Sequence, residues 1–176
     1  MSRTTFTREI ATKASRYGLD PDLVEALVLK ESGGHQYAFN PEPNYRYLWN
    51  VRTRQPFRKL TLEELARRVP PADFPTLAGD PDQEWVSQSS SWGLMQVMGG
   101  VARELGFMGD YIGEIYEVEI NLDLGCKLLA RLLRRADGGE ALALGAYNAG
   151  WGGATSDTGI KYAGRVLRIR AELDRT

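Results

Sequence analysis

One carboxylate stands apart from the others by where it falls. Glu31 lies four positions after Leu27 and three after Val28, so on a helix it continues an apolar face. A carboxyl there is partly desolvated, and it falls in the last helical turn, where the negative end of the macrodipole opposes a second negative charge. Both effects raise its pKa, which is what a general acid needs near neutral pH. Helix geometry alone leaves open a plainer arrangement, a solvent-facing Glu31 paired with Lys30 or Arg46. The remaining inventory is narrow. Cys126 is the only cysteine and His35 the only histidine, so disulfide frameworks, zinc clusters and di-histidine sites lack ligands, and neither a metal nor another cofactor is expected. No GxxxxGKS/T, GxGxxG or GxSxG string occurs, which leaves NTPase, dinucleotide and esterase chemistry without support. His35 reads as a loop residue, and Cys126, on a Leu-rich helix, as a buried thiol.

The elements that must hold these groups are mostly helical. Phe6, Ile10, Ala14 and Tyr17 recur at helical spacing up to Gly18. Asp20-Pro21 then supplies a cap and a first-turn proline for a largely buried helix through Leu29, which Gly33-Gly34 ends. Tyr45, Tyr47, Trp49 and Val51 alternate with Arg46, Leu48, Asn50 and Arg52 and predict a short strand, with a hairpin through Thr53-Arg54-Gln55-Pro56. Thr61 and Glu64 predict a capping box, with Leu60 and Leu65 as its staple, and Pro70-Pro71 stops that helix. Residues 70–84 read as loop. A helical pattern returns from Ser91 through Val97, Val101 and Leu105; Asn121 caps a Leu-rich helix halted by Gly138-Gly139. Two helices follow, one from Glu140 to Ala149 and one carrying Tyr162, Val166, Ile169 and Leu173.

The 176 residues, 43% hydrophobic and 26% charged, suit a single globular domain spanning 1–176, mainly α, with one mixed insertion at about 41–88 that contains a β-hairpin. With a formal net charge of −1, the chain has no global attraction to nucleic acid, and no nucleic-acid partner is expected. The basic residues of the last helix, Lys161, Arg165, Arg168 and Arg170, read as a solvated face. The N-terminal stretch has no apolar signal core, and no run approaches bilayer length, so an integral membrane segment is not expected.

Four separated blocks then give the chain a resemblance. They are Glu31-Ser32-Gly33-Gly34 at a helix end, Gly93-Leu94-Met95-Gln96 opening a later helix, Ala146-Tyr147-Asn148-Ala149-Gly150, and a lone Tyr162 at the final helix. Together and in this order they resemble the SLT-type lytic transglycosylase and goose-type lysozyme family over most of the chain. The resemblance implies a lysozyme-like helical domain that binds peptidoglycan glycan strands. It implies Glu31 as the single catalytic acid/base and Ser32 as the adjacent positioning hydroxyl. Gln96 corresponds to a glutamine touching the sugar near the cleaved bond, Met95 to a wall of the cleft, Tyr147 and Asn148 to groove residues, and Tyr162 to a tyrosine hydrogen-bonded to the acid. The implied reaction cuts the β-1,4 bond between N-acetylmuramic acid and N-acetylglucosamine and leaves a 1,6-anhydromuramyl end.

Hydrolysis, by a goose-type muramidase of a phage, is the alternative within the family. Hydrolytic members similar to this chain carry aspartates where Ser87 and Met98 stand here, which favours the transglycosylase. Glu84 remains a candidate second carboxylate, with Asp82 and Glu42 behind it. A non-catalytic glycan-binding module is the alternative of another class, and retention of Glu31 with its companions argues against it. Between Glu31 and Gly93, 62 positions apart, lie Tyr45, Tyr47, Trp49, Phe57, Trp85 and Trp92; these form either a glycan-binding flap or a satellite core. The expected setting is a monomer made in the cytoplasm and acting on the cell wall, as a phage endolysin, a virion-associated lysin, or a domain of a larger exported protein.

Overall fold

The structure is a computed structural model that describes residues 2–67 and 69–175, with the side chain of Leu65 outside that description. In chain order the helices are α1 (Thr7–Arg16), α2 (Pro21–Ser32), α3 (Leu62–Arg67), α4 (Pro81–Gln88), α5 (Gly99–Glu104), α6 (Val118–Arg135), α7 (Glu140–Ala149) and α8 (Asp157–Leu173). The strands are β1 (Phe39–Pro41), β2 (Trp49–Asn50), β3 (Gln55–Pro56), β4 (Ser90–Trp92) and β5 (Val97–Met98). The expected mainly helical architecture with a small antiparallel hairpin is what the structure has. Two compact units divide the chain, one of Met1–His35 with Leu122–Thr176 and one of Gln36–Asn121. No helix among the described residues is long and apolar enough to cross a membrane.

In the first unit α8 packs along α7 and α2, and α1 packs on α2. Asp20 caps α2 by accepting from the Asp22 amide at 2.9 Å, Pro21 occupies the first turn, and Gly33 closes the helix at φ 63°, a conformation costly for any residue with a Cβ. Leu23, Val24, Ala26, Leu27 and Val28 are buried, as their spacing predicts. The same face carries a buried carboxylate that periodicity passed over. Glu25, 1% exposed, accepts from the Thr4 amide at 2.7 Å, the Thr7 hydroxyl at 2.8 Å and Arg3 at 2.9 Å. These bonds pin the N-terminal stretch onto the helix that carries Glu31, and they satisfy a charge that would otherwise be costly to bury.

In the second unit β1, β4 and β5 form a three-stranded antiparallel sheet in the order β1-β4-β5, with Phe39 opposite Trp92 and Ser91 opposite Met98. The strand expected through Tyr45–Val51 is reduced to Trp49–Asn50, paired with Gln55–Pro56 in a separate hairpin. Gln88 is the reason. Its side chain accepts from the Trp49 amide at 2.7 Å and donates to the Trp49 carbonyl at 3.0 Å, taking the place of a neighbouring strand. Leu48 and Val51 go inward while Tyr47 is 82% exposed, so burial does not follow the alternation read from the sequence. The capping box forms as expected, with Thr61 and Glu64 exchanging bonds of 2.8 and 3.1 Å. The Leu60–Leu65 staple lies outside the described residues.

Three further expectations are corrected. Residues 81–84, expected as loop, instead open α4, capped by Asp80, whose side chain accepts from the Asp82 amide at 2.8 Å. The Asp-Pro signal that opens α2 recurs here unread. The Gly93–Gln96 block does not open a helix: it is the turn joining β4 to β5, and the helix starts only at Gly99. Gly93 takes φ 70°, and a Cβ on it would stand 2.4 Å from the Asn121 amide. Asn121 itself is no cap. It lies inside α6, fully buried, accepts from the Met95 amide at 2.8 Å and donates to the Trp92 carbonyl at 2.8 Å. A buried amide must find such partners, and here they are the turn.

Candidate active site

Glu31 sits in the last turn of α2 and Tyr162 in the second turn of α8, whose cap is Ser156 accepting from the Gly159 amide at 3.2 Å. Tyr162 is 5% exposed, and its hydroxyl donates to Glu31 Oε1. Lys30 places Nζ 5.0 Å from the centroid of the Tyr162 ring. Glu31 is therefore not a frayed surface group. Burial raises its pKa above the ordinary carboxylate range; the Tyr162 hydroxyl, then the Lys30 charge, draw it part of the way back. With Oε1 held by Tyr162, Oε2 has no hydrogen-bond partner among the described residues. It is the oxygen left to carry a transferable proton.

Tyr147 occupies the last turn of α7. Its phenol is held well above the usual range, first by burial and then by the negative charge of Glu31, which places both groups in one electrostatic environment. Asn148 is exposed beside it. Ser32 accepts from the Gly34 amide at 3.2 Å and donates to the Val28 carbonyl at 3.1 Å, so its hydroxyl shapes the turn after the acid. Burial pushes the Cys126 thiol up to about 12, so a nucleophilic thiolate is not available there. His35 is exposed, and no cluster of three or more His, Cys, Asp or Glu able to hold a metal exists among the described residues.

The remaining motif residues belong to the second unit and behave differently. Met95 is fully buried, so its side chain lines no surface, contrary to the expected cleft wall. Gln96 adopts φ 46° and donates from Nε2 to the carbonyls of Ala38 (3.1 Å) and Gly93 (3.0 Å), while Oε1 accepts from Ser91 at 2.9 Å. Both residues build the β4–β5 turn. Glu84 is 4% exposed and gripped by Arg103, Nε to Oε1 at 2.9 Å and Nη2 to Oε2 at 2.8 Å, with Gln88 adding a bond at 2.9 Å. Arg103 spends its other nitrogen on the carbonyls of Phe107 and Gly109. A carboxylate so buried and so paired is a structural ion pair, its charge held by Arg103 and turned away from any water that could attack a sugar. Asp82 and Glu42 are exposed, the latter accepting from Asn40 at 2.6 Å.

The aromatic insertion divides. Phe57, Phe74 and Trp85 stack edge to face at 5.1 and 5.2 Å as a satellite core, whereas Tyr47 pairs with Tyr45 at 5.8 Å and stays in water. Sequence periodicity does not reveal a second aromatic row: Tyr37, Tyr116, Trp92 and Phe39 follow edge to face at 5.6, 5.1 and 4.7 Å, with Tyr37 72% exposed. The two-residue spacing of Tyr37 and Phe39 just past Gly33-Gly34 was its available signal.

A helical domain with one desolvated glutamate under a tyrosine hydroxyl is an arrangement suited to general acid chemistry without a metal. Residues 80–165 match the family model of the Transglycosylase SLT domain, a segment that includes Gln96, Tyr147, Asn148 and Tyr162, while Glu31 precedes it. Among solved structures the chain is similar to an inactive mutant of the lytic transglycosylase Slt from Pseudomonas aeruginosa, with a TM-score of 0.60 and 17% identity over 97% of this chain. The chain spans 24% of the length of that protein. No curated protein sequence matches it. The family match over residues 80–165 and the shared fold make the chain similar to SLT-type lytic transglycosylases, with a lysozyme-like helical architecture.

Proposed function

We propose that this chain is a peptidoglycan lytic transglycosylase in which Glu31 acts alone as acid and base. The observation that carries the reading is the desolvated Glu31 carboxyl anchored through Oε1 by Tyr162. Protonated Glu31 gives its proton to the glycosidic oxygen as the bond from that oxygen to muramyl C1 breaks, releasing N-acetylglucosamine with a free hydroxyl. The muramyl 2-acetamido oxygen bonds to C1 in place of an enzyme nucleophile. The C6 hydroxyl then attacks C1, its proton returns to Glu31, the acetamido–C1 bond opens, and a 1,6-anhydro end remains. Ring closure is favoured because that hydroxyl is tethered to the reacting ring and enjoys a high effective molarity. Tyr147 and Asn148 would orient the acetamido group and stabilise the oxocarbenium-like state.

Inverting hydrolysis needs a second carboxylate with a free lone pair. Ser87 and Met98 supply none, and Glu84 is committed to Arg103. The setting we propose is cell-wall lysis by a monomer that needs no cofactor. Glu31→Gln keeps the shape and removes the transferable proton, so turnover should fall at least about a hundredfold with the fold intact by circular dichroism. Parent digests of purified sacculi, read by mass spectrometry, should show anhydromuramyl ends, one water lighter than hydrolysis products and inert to borohydride. Reducible ends would overturn the reaction type, and an active, folded Glu31→Gln would overturn the acid.

A further inference from the structure

The insertion carries an unassigned concavity. Residues 43–62 hold five Lys or Arg and no Asp or Glu. Arg52 and Arg58 are spent inside the fold, on the Thr76 carbonyl and on Glu64 with Asp73. Arg46 and Lys59 have no ion pair among the described residues. Both line a cavity of about 540 Å³ wholly within the second unit, together with Tyr47, Trp49 and Phe57, a volume inside the range of about 300–1,000 Å³ usual for ligand sites. Aromatic rings offer flat apolar faces to sugars, and unpaired cations offer charge to carboxylates. Their combination in one concavity selects an acidic saccharide.

Resting on the peptidoglycan reading above, we propose that this cavity binds the peptide-bearing muramyl segment of a glycan strand, with Tyr47 and Trp49 against a sugar face and Arg46 and Lys59 on stem-peptide carboxylates. Single-stranded nucleic acid also presents rings and anions. Glu104 lines the same cavity, and an oligothymidylate is therefore an arm of the test.

The test uses the full chain carrying Glu31→Gln, so that glycans stay intact during binding. The probes are soluble glycan oligomers with their stem peptides, the same oligomers stripped by an amidase, wall teichoic acid and an oligothymidylate. Peptide-bearing oligomers should bind about tenfold more tightly than stripped ones, a preference that weakens with salt. Arg46→Ala with Lys59→Ala should erase the preference, and Tyr47→Ala, at an exposed position that leaves the fold alone, should weaken both glycans about tenfold. Equal binding of the two glycans, variants that bind like the parent, or a tighter grip on teichoic acid or oligothymidylate would each overturn the proposal. Cleavage is scored on the chain with Glu31 intact. Stem-dependent binding without cleavage sinks the enzyme reading and leaves this site standing; cleavage with stem-independent binding sinks the site alone.

Discussion

Tyr162→Phe removes one oxygen and almost nothing else, because the Phe ring keeps its packing and the face over which Lys30 stands at 5.0 Å. The lost bond is one from a hydroxyl to a carboxylate in a partly buried site, of a kind that contributes about 1.5–3 kcal/mol. That bond favours the ionised form. At 1.36 kcal/mol per pH unit its loss would raise the acid's titration by about one to two pH units, and a water entering the vacated space returns some of it. The sign follows from the causes of the parent's shift: burial lifts Glu31, the tyrosine lowers it, and deleting the tyrosine hydroxyl lets it climb further. The alkaline limb of kcat/KM against pH, measured as muropeptide release, should therefore move upward by about one pH unit. Its plateau should drop by roughly ten- to a hundredfold, because Oε1 is no longer anchored and the donor wanders from its line to the leaving oxygen. Stability carries the same sign. A carboxyl with a raised folded pKa stabilises the fold at acid pH and loses that contribution as pH climbs through the folded value, so the variant should be weakened most at alkaline pH. An alkaline limb that stays put or moves toward acid in a folded variant would refute the reasoning.

Other outcomes follow from the second unit. Glu84→Gln strands the fully buried Arg103 charge and should cost about 3–5 kcal/mol in urea unfolding, yet the products formed by the surviving folded fraction should remain anhydro, since the carboxylate is structural. Asn121→Ala removes the bonds that the Met95 amide and the Trp92 carbonyl make to its side chain and should cost about 2–4 kcal/mol by the same measurement, with Gly93 losing its support. Activity should survive EDTA, because no metal-ligating cluster exists among the described residues; a loss restored by zinc or calcium would contradict that.

Much of the first unit was legible because its signals are local. Caps at Asp20 and Gly33, an unbroken apolar face on α2, and the Gly150 stop on α7 each act within a few residues, and the structure has each where the spacing predicts it. The second unit was less legible because its determinants are distant in sequence. Gln88 replaces a strand for Trp49 across 39 positions, and Asn121 holds the Gly93 turn from 26 and 29 positions away. Neither interaction leaves a periodic trace. Asn121 does fall in step with Leu124 and Leu128 on the buried stripe of α6, and a polar residue in such a place asks for buried partners. Glu25 poses the same question on α2, answered by Thr4, Thr7 and Arg3. The Asp80-Pro81 cap was readable by the rule that found α2, but the surrounding Pro and Asp residues resembled loop composition.

The motif residues thus separate by the physics that holds them. Glu31, Tyr162 and Tyr147 share one unit and one electrostatic environment, so changing any of them alters a titration. Met95 and Gln96 sit in a turn whose two left-handed residues, Gly93 and Gln96, are fixed by Asn121, Ala38 and Ser91; changing them alters backbone geometry before it alters chemistry. A string such as Gly-Leu-Met-Gln can therefore mark an enzyme without supplying its reacting atoms. Its amide is consumed in making the turn rigid, and in the reading proposed above the proton transfer falls to Glu31, a carboxyl that burial has made harder to ionise.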